Sequence, residues 1–540
     1  MFINYFLGLM AFLGFLLIIN KNQKISFYIG LTGILVAAYF TYKLDYYQPP
    51  IGYLSFLNFS NINYTMAIVF SLAFIIGNIF ILMSKVVNFK EMGLIFIYFS
   101  CAIGVIFAQD FITLFIFWEI LALAATFIIL SSSNPKAYPT ALKYFTIHAL
   151  AGIFLIIGIV SYVYTTGTTL LPTQALSLSN PFNYFIFIAI LICLGFPPFS
   201  SWLIEGYSYS SSTASIFLSI FTTKVAIFTL FKLFYNQYDL LYFGIILAAY
   251  GIIFSLFTSN IRKILSFAII QQLGITMIAI AFVDFYHHTF LISYLISDIL
   301  YKLGFFMIVA ILSSRFNTDN IYRLRKSINL KSFIGVMLII LALQALGAPF
   351  TGGFITKTYL TSTVSETSSY WVNYILMFFI MCGSLNIGIR IPYTLLNFGN
   401  TGSKITLATN YKVVPFLVLI VVLEAIFLLH YASFFNLANI WHSLQVIGGG
   451  LILFILINRF IKNKHKTINL NINKAKNLLR IFALNFLQNM IKIDLIFALN
   501  KTAKILYNKI TAISYQKYSY SSPLTFYSLV ILILLYFILS

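Results

Sequence analysis

Four charged side chains interrupt long apolar runs: Glu119 in FITLFIFWEILALAATFIIL, Lys224 in SIFLSIFTTKVAIFTLF, Lys302 in TFLISYLISDILYKLGFFMIVAIL and Lys357 in QALGAPFTGGFITKTYL. An apolar run of about 20 residues spans a bilayer as a helix. A charge near its middle costs at least about 2.5–3.5 kcal/mol on insertion scales. Carboxylates and amines both take up and release protons. One acid and three lysines kept at that cost therefore point to the handling of ions or protons.

Each residue has a functional and a structural reading. Glu119 follows Trp118 in mid-span and has no opposite charge within a helical turn. Alone it stays neutral; beside a lysine of another helix it ionises, and the pair either passes protons or is a fixed tie between helices. Buried pairs contribute little net stability, which favours function. Lys224 adjoins Thr222 and Thr223, whose hydroxyls can solvate it. Lys302 follows Asp298 by one helical turn, so this local pair can neutralise itself. Lys357 comes just after a glycine-containing break, where freed carbonyls can solvate an ammonium; the alternative is snorkelling to an interface. His148, in LKYFTIHALAG, fits a proton relay or a hydrogen-bonded structural role. Glu205 reads as a loop anchor, and Lys143, Arg262 and Lys263 as cytoplasmic span ends.

These residues sit in a 540-residue chain that is 61% hydrophobic and only 8% charged, with a mean hydropathy of +0.96. A soluble domain carries about 25% charge. The composition predicts an all-helical polytopic membrane protein. Cys101, Cys193 and Cys382 lie inside apolar runs at no metal or disulfide spacing. No P-loop, dinucleotide fingerprint or cofactor motif occurs, so neither a cofactor nor a metal is expected. The net charge of +21 could suggest nucleic acid, but twelve of the 33 basic residues fall between Arg459 and Lys517, with Asp494 the only acid among them, and most others sit in short loops. That distribution follows the positive-inside rule instead. The Ile, Phe, Asn, Lys and Tyr bias resembles AT-rich coding. It suits a bacterial inner membrane, or a mitochondrial one if the chain is organelle-encoded.

Apolar windows bounded by polar or turn residues give about 16 spans. Their cores are 2–20, 26–43, 65–84, 92–108, 110–131, 144–164, 183–199, 214–235, 241–259, 264–283, 288–313, 331–361, 372–396, 413–431, 440–458 and 523–540. Loops after odd-numbered spans are basic, among them Lys85 and Lys90, Lys136, Arg262 and Lys263, and Arg323 with Arg325 and Lys326. The odd loops are therefore read as cytoplasmic and the N-terminus as outward.

Two places depart from plain helices. Pro197 and Pro198 precede a serine-rich run between the seventh and eighth spans, and Pro349, Gly352 and Gly353 interrupt the twelfth. Proline removes a backbone donor and glycine loosens a helix. Such breaks at membrane depth mark transport sites or serve only as packing kinks. After Ile472, apolar residues recur at helical spacing opposite Lys474, Lys476 and Arg480. That pattern predicts a basic helix on the cytoplasmic surface, lying on lipid or clamping neighbouring subunits.

Several of these segments together resemble a known family. DFITLFIFWEILALAATFIIL, PPFSSWLIEGYSYSSSTASIFLSIFTTKVAIF, SNIRKILSFAIIQQLGITMIAI, SDILYKLGFFM and LGAPFTGGFITK run in the order of motifs in the proton-translocating antiporter-like subunits. That family comprises the large membrane-arm subunits of complex I and the matching subunits of Mrp-type sodium/proton antiporters. The resemblance spans about residues 90 to 400, and KYFTIHALAGIFLIIGI and SIFTTKVAIF look closest to the D-type Mrp subunit. It implies two inverted repeats of about five helices, each with a broken helix, over spans four to eight and nine to thirteen. It also implies a proton path through Glu119, Lys224, Lys302 and Lys357, with His148, Lys143 and Asp298 as further relays. The implied partners are other membrane subunits, the lipid bilayer, protons and Na+, with no nucleic acid. In the complex I branch the chain would be part of NADH:quinone oxidoreductase. A third reading is a degenerate scaffold that no longer transports.

The chain also departs from the family. The seventh-span lysine that normally pairs with the fifth-span glutamate falls at Cys193, nine residues before Trp202. Lys224 or Lys143 would have to replace it, or one half-channel is impaired. A histidine common one turn before the midplane lysine is Asp298 here. The basic surface segment with a final span resembles the distal complex I subunit more than the D type. The expected organisation is N-terminal helices over 1–90, a translocation core over 91–400, C-terminal helices over 401–460, a basic amphipathic segment over 461–522 and a last span over 523–540.

Overall fold

A computed structural model describes residues 2–46, 61–83, 87–283, 288–397 and 436–462. Helix α1 (Phe2–Ile19) and α2 (Gln23–Tyr46) lead to α3 (Asn61–Leu82), α4 (Phe89–Phe107), α5 (Phe111–Leu130) and α6 (Ala137–Thr166). Four short helices follow: α7 (Asn183–Cys193), α8 (Ser201–Tyr209), α9 (Ala214–Leu218) and α10 (Thr222–Phe234). Next come α11 (Asp239–Leu256), α12 (Ile261–Ile280) and α13 (His288–Phe316). Then α14 (Phe333–Leu346) turns into α15 (Gly352–Thr367), and α16 (Tyr370–Ser384) runs through a π-helical turn, Leu385–Arg390, into α17 (Ile391–Leu395). Helix α18 (Leu437–Lys462) ends the described chain, and β1 (Ile328–Asn329) pairs in parallel with β2 (Leu396–Asn397).

Among the described residues, twelve helical stretches are long and apolar enough to cross a membrane, and α7 and α14 are shorter apolar helices. Together they account for fourteen of the sixteen expected spans. Spans 413–431 and 523–540, and the basic amphipathic segment 461–522, lie outside the described residues. The stretch Ala214–Phe234 is buried throughout, and α12 and α13 are 94% buried, whereas α1 and α2 are only 33% buried. The core is thus built from the helices that carry Lys224, Asp298 and Lys302.

Helix starts follow the sequence closely. Asn88, Asp110, Asn260, Ser332 and Thr351 each accept, through a side-chain oxygen, the amide three residues on. Each cap satisfies a donor that the first helical turn leaves orphaned. Small residues let helix backbones approach closely: at Gly274 in α12 a Cβ would lie 2.4 Å from the Ala248 nitrogen of α11. Membrane helices without a hydrophobic drive between them pack through such close approaches.

The connections sort into two ends. At one, Asn260 bridges Asn320, and the Lys326 amide reaches the Thr394 carbonyl. At the other, Asp110 bridges Leu170, and the Asn236 amide reaches the Ile280 carbonyl. Loops after odd spans meet one another, as do loops after even spans, which is the alternation the charge pattern requires. Arg262, read as a span end, lies in the first turn of α12. It is buried, donates to the Ser210 carbonyl at 2.7 Å and pairs closely with Asp319.

Three spans are not the continuous helices a hydropathy window suggests. The seventh ends at Cys193 and the twelfth at Leu346, both at the breaks that Pro and Gly foretold. The eighth is broken as well, between Leu218 and Thr222, with no proline or glycine there. Its cause is tertiary. The Thr222 amide binds the Tyr98 hydroxyl of α4 at 3.0 Å, and that hydroxyl also makes a short contact with Thr222 Oγ1. A side chain inserted into the helical ladder interrupts it. In the thirteenth span, the π-helical turn is tied down by Asn386 on Ser255 Oγ and by Arg390 on the Ser255 and Thr258 carbonyls at the end of α11.

Candidate functional site

The break in the eighth span leaves Lys224 in the first turn of α10, fully buried. The partial positive charge of a helix N-terminus disfavours an ammonium there, so a compensating anion is needed. Asp298 of α13 supplies it: Lys224 Nζ lies 2.6 Å from Asp298 Oδ2. The other oxygen, Oδ1, lies 2.5 Å from Lys302 Nζ one turn later on α13 and accepts from the Tyr301 hydroxyl at 2.7 Å. The local Asp298–Lys302 pair forms as its spacing suggests, but it does not neutralise itself alone. One buried carboxylate is shared by two lysines from two helices.

Lys357 sits on α15, which packs against α13. At the end of α14, Gly347 adopts φ +74° and turns the chain, freeing carbonyls. Lys357 Nζ donates to one of these, the Ala345 oxygen, in a short contact. The ammonium is therefore held inside the break instead of snorkelling to an interface. A Cβ at position 347 would lie 2.9 Å from Lys357 Cδ, so glycine serves both the turn and the lysine. Beside it lies a cavity of about 40 Å³, lined by Lys357, Thr358, Thr361, Asn439, His442 and Ser443 among others. One water needs about 10–15 Å³ of such room.

The first half of the chain is arranged differently. Glu119 of α5 is half-buried and packs on Gly152 of α6, where a Cβ would lie 2.3 Å from its Oε1. That oxygen has no hydrogen-bond partner, and Glu119 makes no ion pair among the described residues. Cys193, at the end of α7, is buried nearby with its Sγ 3.7 Å from His148 Nδ1. The His148 ring stacks on Tyr144 at 4.3 Å and meets the edge of Trp202 at 4.6 Å. Neither lysine expected to replace the missing one reaches Glu119. Lys143 pairs with Glu205 at 2.7 Å, which bears out Glu205 as an anchor, and Lys224 is held by Asp298.

Some residues here escaped the sequence reading. Tyr98 shapes the start of α10, yet a tyrosine in an apolar span carries no local signal. Lys232 lies two turns after Lys224 in the same apolar run, a spacing that was visible. Its Nζ reaches the Ile106 carbonyl at 3.3 Å. Glu91, at the start of α4, is buried among hydroxyls, a setting composed by three separate segments.

Fold and site together define a multi-pass helical membrane protein with buried charges set against broken helices. Residues 108–384, just over half the chain, match the model of the family described as NADH:quinone oxidoreductase/Mrp antiporter, TM, and the chain belongs to that family. It is an antiporter-like membrane subunit of the Mrp or complex I kind. It is 23% identical over 401 residues to NADH-quinone oxidoreductase subunit M of Buchnera aphidicola subsp. Baizongia pistaciae, covering 63% of this chain and 78% of that one. It is 23% identical over 271 residues to the D subunit of the Na(+)/H(+) antiporter of Bacillus subtilis, covering 47% and 55%. A chain in the structure of the Mrp complex from Dietzia sp. DQ12-45-1b shares the fold, with a TM-score of 0.74 at 14% identity, covering 95% of this chain and 62% of that one.

Proposed function

We propose that this chain translocates protons as a D-type subunit of a multisubunit monovalent cation/proton antiporter, working in a membrane with other membrane subunits. Lys224, Asp298, Lys302 and Lys357 form its path, with Glu119 and His148 at the first-half end. One observation carries the reading: a single buried carboxylate, Asp298, holds lysines from two different helices. With both amines charged the cluster has an excess positive charge in a dry core. With one neutral it is balanced, and the neutral amine can be on α10 or on α13. These two arrangements differ by the place of one proton, which makes the cluster a relay between helices. Structural need alone accounts for it poorly, since buried ion pairs contribute little net stability. Lys357, with its freed carbonyl and adjoining cavity, extends the path towards α18.

Support for the D type comes from the segments Lys143–Ile159 and Ser219–Phe228 and from the match to the Bacillus subtilis antiporter chain. A second reading, a proton-pumping membrane-arm subunit of NADH:quinone oxidoreductase, is favoured by the longer match to the Buchnera oxidoreductase chain. A third, a scaffold that no longer transports, is favoured by the unpartnered Glu119 beside Cys193. We place the complex in a bacterial inner membrane. The test is to purify the native complex, identify its subunits, and record proton movement in vesicles after a sodium pulse. Small membrane subunits and sodium-driven flux that Lys357→Ala abolishes are expected. Flavin and iron–sulfur subunits would indicate complex I, and the absence of any proton movement would indicate the scaffold.

A further inference from the structure

Glu91 is a second carboxylate with no ion pair among the described residues, and its surroundings differ from those of Glu119. It is 2% exposed, in the first turn of α4. Thr213 Oγ1 donates to its Oε1 at 2.6 Å, and Ser131 Oγ lies 3.3 Å from its Oε2 while also reaching the Ile128 carbonyl at 2.7 Å. Ser211 adds a third hydroxyl to the cluster, its Oγ 3.0 Å from Thr213 Oγ1. The start of α4, the end of α5 and the serine-rich link between α8 and α9 thus converge at the end where the loops after odd spans meet. None of the four ion pairs among the described residues includes Glu91; the Arg262–Asp319 pair comes nearest in the chain, with Arg262 on the Ser210 carbonyl beside Ser211. Lys136 and Lys263 of that end both sit over the Tyr209 ring, at 5.1 and 5.0 Å.

A buried carboxylate is expensive unless it is paired or coordinates a cation. Here every partner is a hydroxyl. A hydroxyl carries one donor and two lone pairs and rotates to suit its neighbour. Each hydroxyl has one hydrogen, so it can donate to the carboxylate or, turned to the Ile128 carbonyl or to the neighbouring hydroxyl, leave its oxygen for a cation, which no lysine or backbone amide could do. Hard cations take oxygen ligands of this kind. A single carboxylate balances one positive charge, which selects a monovalent ion over a divalent one.

We propose that Glu91, Thr213, Ser211 and Ser131 form a binding site for a dehydrated monovalent cation of sodium's size. The binding stands on this geometry alone. Its role as the port of the exchanged cation rests on the antiporter reading above.

The test uses the purified native complex. Its thermal unfolding midpoint is followed against NaCl, with choline chloride holding the ionic strength constant. A ligand that binds only the folded state raises that midpoint saturably. Wild type should show a saturable, sodium-specific rise. Glu91→Gln should weaken the apparent sodium affinity by at least about tenfold, as losing a ligand or its support commonly does. If Glu91→Gln does not assemble, Thr213→Ala and Ser211→Ala keep the carboxylate and should each weaken affinity several-fold. Equal responses of wild type to sodium and choline would overturn the site, as would unchanged sodium affinity in all the variants that assemble. Sodium binding lost in Glu91→Gln, without sodium-driven proton flux in wild type, would support the site and remove the antiporter reading instead.

Discussion

The breaks after α7 and after α14 are the same turn put to different uses. In LGFPPF, Gly195 has φ +74°, its amide reaches the Ile192 carbonyl, and the Phe196 amide reaches that of Leu191. In LGAPF, Gly347 has φ +74°, its amide reaches the Gln344 carbonyl, and the Ala348 amide reaches that of Leu343. Both are Schellman ends, which satisfy some terminal carbonyls and leave others for side chains. After the first break, the Trp202 indole donates at 2.9 Å to the Ile192 oxygen that the Gly195 amide also binds; after the second, Lys357 donates to the Ala345 oxygen, which the turn leaves free. A neutral donor therefore closes one break and a titratable one closes the other. The contrast extends to their surroundings. Beside the first, Glu119 has no ion-pair partner among the described residues and Cys193 stands where a lysine is usual. Beside the second lies a carboxylate with two lysines. One backbone device borders a largely neutral pocket after α7 and holds Lys357, at one end of the charged relay, after α14.

The largest effect that would break this comparison is expected from Asp298→Asn. It leaves two buried ammonium groups without their shared anion, and breaking a buried pair costs about 3–5 kcal/mol. Thermal unfolding of the purified complex should register that loss, and a stability equal to wild type would mean the lysines are solvated by other means. Next come the two glycines. An L-residue in the left-handed region costs about 1–2 kcal/mol, which both Gly195→Ala and Gly347→Ala incur. Only at 347 does the new Cβ also press on Lys357, at 2.9 Å, against 3.3 Å to a Leu203 methyl at 195. Gly347→Ala should therefore be the more damaging to both unfolding temperature and proton flux; the reverse order would undo the assignment of Lys357 to the break.

Cys193→Lys sharpens the contrast from the other side, by offering Glu119 the partner it lacks. A double-mutant cycle of Cys193→Lys with Glu119→Gln should give a favourable coupling of about 1 kcal/mol, typical of residues brought into contact. No coupling would mean that Glu119 is out of reach. The smallest effect is expected from Lys143→Ala. Its pair with Glu205 is about one-third exposed at both members, and such pairs contribute about 0–1 kcal/mol. Flux should stay at the wild-type level, and a marked loss would return Lys143 to the proton path.

What the sequence made legible was local. The prolines after the seventh span, Pro349 with Gly352 and Gly353 in the twelfth, and the one-turn spacing of Asp298 and Lys302 are all short-range patterns. What it hid was tertiary. The break before Lys224 depends on Tyr98 from another helix, in a run with no proline or glycine. The Lys224–Asp298 contact joins residues 74 positions apart, as their numbers show, through the packing of α10 and α13 in the core. Glu119 could be seen to lack a local partner. Only the fold shows that Lys143 and Lys224 are both engaged elsewhere.

The central claim is that the cluster shared by α10 and α13 carries the protons, and one measurement tests it most directly. Proton flux is recorded in vesicles containing the native complex, with wild type, Lys224→Ala and Glu119→Gln side by side. Lys224→Ala should abolish the flux, and Glu119→Gln should reduce it less. Wild-type flux in Lys224→Ala would contradict the account, whatever Glu119→Gln does.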